Sequence, residues 1–196
     1  GQKTGFFLDQ REHRLALGRT ATGCRVLNAF GYTGGFSIHA GLGGAERVAT
    51  LDISGPALDQ AERDWTANGL EPARHERLQG DAFELMRNLE PESFDRVVVD
   101  PPAFAKTRKD VDAAFKAYKD VFRLGARATG RGGLLWCFSC SQHLDRARFQ
   151  EAVWTACLEA GRPAQVLAHL GQPLDHTYAL DHPEGFYLKG LWLRLS

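Results

Sequence analysis

The sequence predicts an α/β fold of the doubly wound kind, a mostly parallel sheet with helices on both faces. Two observations carry this. Short apolar runs alternate with amphipathic stretches from about Cys24 onward, the pattern of strands alternating with helices. Runs such as Arg96-Val97-Val98-Val99 also lack the polar alternation of a half-solvated strand, as expected of a parallel strand covered on both faces.

Seven segments read as strands: residues 25–29, 47–52, 76–79, 94–100, 133–139, 164–170 and 186–195. Between them, Ser54 suits a helix N-cap with Pro56 in the first turn, and Asn68-Gly69 suits the stop. Val111, Phe115, Tyr118, Phe122 and Ala126 recur at helical spacing, as do Phe149, Val153, Cys157 and Ala160, and mark core faces. In such sheets ligands bind beyond the carboxyl ends of the strands. Functional residues are therefore expected at 28–35, Asp52, Asp81, 100–104 and Ser139-Cys140.

With 196 residues and 43% hydrophobic composition the chain fits one domain with a real core. Lys plus Arg and Asp plus Glu both number 24, so no global positive field draws in nucleic acid, and any such contact needs a local patch or another domain. The four cysteines are scattered through apolar segments with no signal peptide ahead of them, which predicts a reducing, cytoplasmic setting without a disulfide framework. No apolar run approaches the roughly 20 residues of a membrane-spanning helix, so no membrane partner is expected. Opening at Gly1-Gln2-Lys3 without an initiator Met, the chain reads as a fragment of a longer protein.

The stretch from Val26 to Phe36 runs from strand into Gly31, Gly34 and Gly35 and then into a helix. Glycines there are expected to supply left-handed backbone and close approach to a ligand. Asp52 closes the next strand about 20 residues on, suited to ribose hydroxyls, so an adenosine-containing cofactor is implied. The glycine spacing departs from the dinucleotide pattern G-x-G-x-x-G. Asp81, in Gln79-Gly80-Asp81-Ala82-Phe83, fits an adenine amino contact or a helix N-cap equally well, and the two are compatible. Together these look like the methyltransferase plan, with S-adenosylmethionine as cofactor. The cofactor-binding set read at the strand ends is Asn28, Phe30, Tyr32, Thr33, Gly34, Asp52, Ile53, Asp81, Ala82, Asp100 and Pro101.

Asp100-Pro101-Pro102-Ala103-Phe104 ends a buried strand, since neither proline donates to a ladder and the first restricts Asp100 to extended geometry. Methyltransferases acting on planar nitrogen-containing rings place such Asp-Pro-Pro loops beside the base. The next strand runs out through Trp136-Cys137-Phe138-Ser139-Cys140-Ser141. Cys137 and Cys140 are expected to point to opposite faces, which argues against a redox pair. Cys24 and Cys157 lack the paired spacing of a zinc cage, and no metal site is read. Cys137 and Cys157 read as small core residues. Cytosine is unreactive at carbon 5 until a nucleophile adds to carbon 6, so that chemistry needs a thiolate and an acid at the ring nitrogen. Cys140 and Asp100 are the candidate catalytic pair. Lys106, Arg108 and Lys109 follow the Asp-Pro-Pro loop and are placed to meet phosphates if Asp100 is at the base.

At this point the chain resembles the 5-methylcytosine methyltransferases of large-subunit (23S) ribosomal RNA that carry an N-terminal PUA domain. The resemblance spans essentially all 196 residues. It rests on residues 1–11, GQKTGFFLDQR, and 28–36, NAFGYTGGF, with 100–104, DPPAF, 138–141, FSCS, and 183–190, PEGFYLKG. It implies a seven-stranded, Rossmann-like class I methyltransferase fold and an RNA-binding PUA domain ahead of these residues. It also implies cofactor contacts from Lys3, Thr4, Phe6, Asp9 and Gln10, with Cys140 as nucleophile and ribosomal RNA as partner. A homodimer is allowed for. Ala103 and Phe104 stand where other RNA 5-methylcytosine enzymes place a second cysteine, so the group removing the carbon-5 proton stays unassigned. Two further readings stay open: methylation of an exocyclic amine with Cys140 structural, and a non-catalytic RNA- or cofactor-binding module.

Overall fold

The structure is a computed structural model that describes residues 7–105 and 107–196. Its strands are β1 (Arg25–Ala29), β2 (Arg47–Asp52), β3 (His75–Gln79), β4 (Phe94–Val99), β5 (Thr129–Ser139), β6 (Ala164–Leu170) and β7 (Lys189–Leu195). Its α-helices are α1 (Arg11–Arg19), α2 (Gly35–Leu42), α3 (Gly55–Ala67), α4 (Ala82–Asn88), α5 (Val111–Ala128) and α6 (Arg146–Glu159). The strands form one sheet in the order β3-β2-β1-β4-β5-β7-β6. β1 to β5 pair in parallel, and β7 runs against both of its neighbours. The expected α/β fold, a mostly parallel seven-stranded sheet, is what the chain adopts.

Alternation along each strand divides the core. On one face Val26, Val48, Val98, Trp136 and Phe138 pack with Leu17 of α1, Phe36 of α2 and Trp65 of α3. On the other, Leu27, Leu51, Val97, Leu135 and Cys137 pack with Met86 of α4, Tyr118 and Phe122 of α5 and Phe149 of α6. Helices thus cover both faces, and the central strands have no polar side to spare. Ser54 caps α3 by accepting from the Ala57 N–H, and Gly69 at φ +72° follows the helix end, as local chemistry requires.

Four strand boundaries shift from expectation, that of β3 by one residue, to His75. β4 stops at Val99 because Pro101 and Pro102 cannot extend the ladder. β5 starts four residues early, at Thr129, with a register irregularity against β4 between Phe94 and Arg96. β7 begins at Lys189 rather than 186, because Pro183–Gly185 forms a 3-10 turn closed by the Phe186 N–H on the Pro183 carbonyl.

The connectivity makes the crevice. The chain runs outward from β1 to β3 and then returns to place β4 on the other side of β1. Loops leaving β1 and β4 therefore diverge, opening a ligand crevice at the carboxyl ends of the strands.

Candidate active site

A cleft of about 1150 Å³ lies over those strand ends, lined by the loops after β1, β2, β4 and β5, the start of α4, residues 7–10 and part of the β6–β7 connection. Of the cofactor set read from sequence, Asp9, Gln10, Asn28, Phe30, Tyr32, Thr33, Asp52, Ile53, Asp81, Ala82, Asp100 and Pro101 all line it, and so does Cys140. Gly34 sits behind the wall instead. It takes φ +76°, and a Cβ there would lie 2.9 Å from the Ala61 Cβ of α3. Lys3, Thr4, Phe6 and Lys106 lie outside the described residues.

The loop after β1 corrects the expectation about glycine. Gly34 alone of the three glycines is left-handed, and the other left-handed residues of the loop are Phe30 (φ 60°) and Tyr32 (φ 47°). Such backbone costs energy in residues with a Cβ and persists only where the surroundings enforce it. At Tyr32 the tether is Asp52. One carboxylate oxygen accepts the Tyr32 N–H at 2.9 Å and the other accepts the Ser54 N–H at 2.9 Å. Gly31 serves close packing: a Cβ would lie 2.6 Å from Thr50 Cγ2 and 2.8 Å from Asn28 Nδ2. That Asn28 amide starts a buried chain through the Ser37 hydroxyl (2.9 Å) and the Thr50 hydroxyl (2.6 Å) to His75 Nε2 (2.7 Å). Gly31→Ala should therefore cost about 1–3 kcal/mol in urea unfolding, the range for overpacking. Wild-type stability in that variant would show that the loop yields freely.

Residues 8–14 fold down onto the cleft. Gln10 Nε2 donates to Asp100 Oδ2 at 3.0 Å, and Tyr187 donates its hydroxyl proton to Asp9 Oδ2 at 2.7 Å while contacting His176 Nε2 at 3.2 Å. Arg14 is buried and donates to the Phe7 carbonyl. Three buried acceptors on cleft-lining residues have no donor among the described residues: Asp9 Oδ1, Gln10 Oε1 and Asn28 Oδ1. Buried acceptors left this way mark where a ligand's donors belong.

The loops carrying Asp100 and Cys140 are tied to each other. Tyr118, fully buried on α5, accepts from the Phe104 N–H at 3.4 Å and donates to the Pro102 carbonyl at 3.3 Å. Ser141 donates through Oγ to the Ala105 carbonyl at 3.1 Å, and its N–H donates to Ser139 Oγ at 3.2 Å. Burial first, then the charge of Asp9, pushes the Asp100 carboxyl up to about 7, against the pull of Gln10 and Arg14. Burial and then Asp100 push the Cys140 thiol up to about 11. Cys137 lies wholly in the core beside Cys157, its thiol held up by burial, and shares no site with Cys140. Asp81 caps α4, accepting the Glu84 N–H at 3.0 Å, as one of its two expected roles required, and it also lines the cleft.

A family model described as S-adenosylmethionine-dependent methyltransferase matches residues 1–144 of this chain. The chain belongs to that family. Two relatives named ribosomal RNA large subunit methyltransferase I are similar to it. One, from Aeromonas salmonicida, is 43% identical over 99% of this chain and 50% of its own length. The other, from Photobacterium profundum, is 44% identical over 97% of this chain and 48% of its own. The methyltransferase thus spans about half the length of the curated relatives it matches. A methyltransferase solved in complex with SAH superposes with a TM-score of 0.84 at 26% identity, covering 97% of this chain and 50% of that one.

The methyltransferase's cleft fits the family cofactor on chemical grounds. S-adenosylmethionine presents an ammonium group, ribose hydroxyls and an adenine amine, all donors. The orphaned oxygens of Asp9, Gln10 and Asn28 and the carboxylates of Asp52 and Asp81 are acceptors along the same wall.

Sequence reasoning gave no role to Arg14, His176, Tyr187 or Lys189. Tyr187 and Lys189 stand inside the 183–190 motif, and that was their one signal. Arg14 gave none, because a cation on an amphipathic helix reads as solvated until the fold buries it. Among the described residues no helix is long and apolar enough to cross a membrane.

Proposed function

We propose that this chain is the catalytic part of an enzyme that methylates carbon 5 of a cytosine in 23S ribosomal RNA, acting in the bacterial cytosol with Cys140 as nucleophile. One observation carries the reading: the cysteine and the strand-end acid stand in a single cleft with the cofactor loop. The relatives' printed names supply the substrate class. Bound S-adenosylmethionine supplies an electrophilic methyl group. The protein's part is to make the ring reactive. Cys140 adds as a thiolate to carbon 6, and Asp100, in its acid form, gives a hydrogen bond to ring nitrogen 3 as charge builds there. With Asp100 at about 7 and Cys140 at about 11, the pair holds one proton between those pH values, resting on sulfur. Chemistry needs the same single proton on Asp100 instead. The proton count is already right, and only its location must change.

Mapping methyl groups by mass spectrometry, on ribosomal RNA from cells lacking the full-length protein and from complemented cells, tests the proposal. Loss and return of one 5-methylcytosine supports it. Loss of an N-methylated base would instead select the exocyclic-amine reading.

Asp52→Ala is expected to weaken S-adenosylmethionine binding by about 1–3 kcal/mol, the range for a lost charge-assisted hydrogen bond. The left-handed Tyr32 loses its tether as well. Unchanged affinity by calorimetry would remove Asp52 from the cofactor site.

A further inference from the structure

We infer that Lys189 is a positioning residue for Cys140, whose buried ammonium both fixes the loop that carries the thiol and supplies the positive charge that favours its thiolate. The inference rests on the reading of Cys140 as nucleophile. Lys189 opens β7 directly opposite Ser139, the last residue of β5. It is 5% exposed. Its Nζ donates to the Ser141 carbonyl at 2.8 Å and to the Tyr187 carbonyl at 2.6 Å. The ammonium therefore grips the residue after Cys140 from the neighbouring strand, while Ser139 and Ala105 hold the same residue from the other sides.

Burying an ammonium is costly, and a lysine kept at such a place must be paired or used. Two carbonyls satisfy two of its three N–H groups. Carbonyls neutralise no charge, so the positive field remains at the end of β5. The charges felt by Cys140 are few: Asp100 and Asp9 oppose its thiolate and Lys189 favours it. Lys189 in turn is pushed down to about 8 by burial and by Arg146 of α6, against Cys140 and Asp145. It is protonated at neutral pH and acts on the thiol there. Without it, both nearby carboxylates would act on the sulfur unopposed.

The test is the pH profile of Cys140 alkylation by iodoacetamide in wild type and in K189M, K189Q and K189R. Peptide mass spectrometry separates Cys140 from Cys24, Cys137 and Cys157, and S-adenosylmethionine affinity reports the integrity of the cleft. K189Q keeps a donor for the Ser141 carbonyl and loses the charge. K189M and K189Q are expected to react roughly tenfold more slowly at pH 7, where Lys189 carries its charge, with the gap closing as pH rises past 8 and the lysine loses its proton. K189R should stay within about threefold of wild type, since guanidinium keeps the charge. A wild-type profile in K189M or K189Q with cofactor binding intact overturns the inference. So does loss of cofactor binding in all three variants, which would make Lys189 a folding residue. Alkylation needs no RNA, so a missing covalent adduct with RNA would sink the nucleophile reading while this measurement stands or falls separately.

Discussion

Cys140→Ala, placed in the full-length enzyme, is expected to lower methyl transfer to RNA by roughly 10⁴-fold or more, because nothing else in the cleft replaces a covalent nucleophile. S-adenosylmethionine affinity should stay within about twofold of wild type, since the thiol acts on the base. The side chain is small and only partly buried, and its removal leaves the ties of Ser139, Ser141 and Lys189 in place. A companion measurement sharpens the outcome. RNA carrying 5-fluorocytosine should form a stable adduct with wild type, because fluorine cannot leave as a proton does, and none with the alanine variant. Near wild-type turnover by Cys140→Ala would rule out the covalent mechanism. An adduct mapping to another cysteine would reassign the nucleophile.

Asp100→Asn should separate activity from stability. Turnover is expected to fall by about 10²–10⁴-fold, the usual contribution of a positioned acid, because the amide cannot take up the thiol's proton. Stability should move the other way. In the folded protein the carboxyl keeps its proton to about pH 7, against 3.8 as its ordinary value. Between those limits the unfolded chain has released the proton and the folded chain still holds it. The group's contribution to stability is therefore complete below about pH 4 and is lost as pH rises toward 7. Above that, the wild type holds a desolvated charge near Asp9 that asparagine does not carry. Asn can still accept from Gln10. Asp100→Asn is thus expected to be about 1–2 kcal/mol more stable than wild type at pH 8 and nearly equal at pH 4. Urea unfolding at the two pH values checks this. Equal stability at pH 8 would mean that Asp100 is well solvated and ordinarily ionised.

Much of the fold was legible because its causes are local. Continuous apolar runs marked the strands to within a few residues, and Ser54 with Pro56 opened α3 as the capping rules require. The cleft was legible for a related reason: in a doubly wound sheet the strand ends converge, so Asn28, Asp52, Asp81, Asp100 and Cys140 could be placed together from their positions alone. Boundaries slipped where a turn competed with a ladder. The start of β7 moved because Pro183–Gly185 closes on itself.

Sequence alone, then, determined the architecture, the loop proposed to meet the cofactor and the two residues proposed to meet the base, since periodicity, glycine and proline act within a few bonds. Tertiary structure decided the rest. Gln10 reaches Asp100 across 90 residues and Tyr187 reaches Asp9 across 178, distances over which no local pattern carries information. Asp52, and not glycine, tethers the left-handed Tyr32 in its loop, because a carboxylate at the end of β2 accepts hydrogen bonds from the Tyr32 and Ser54 N–H groups. The proton affinities of Asp100, Cys140 and Lys189 likewise belong to the folded chain, because desolvation and neighbouring charge arise only when distant segments close around a group.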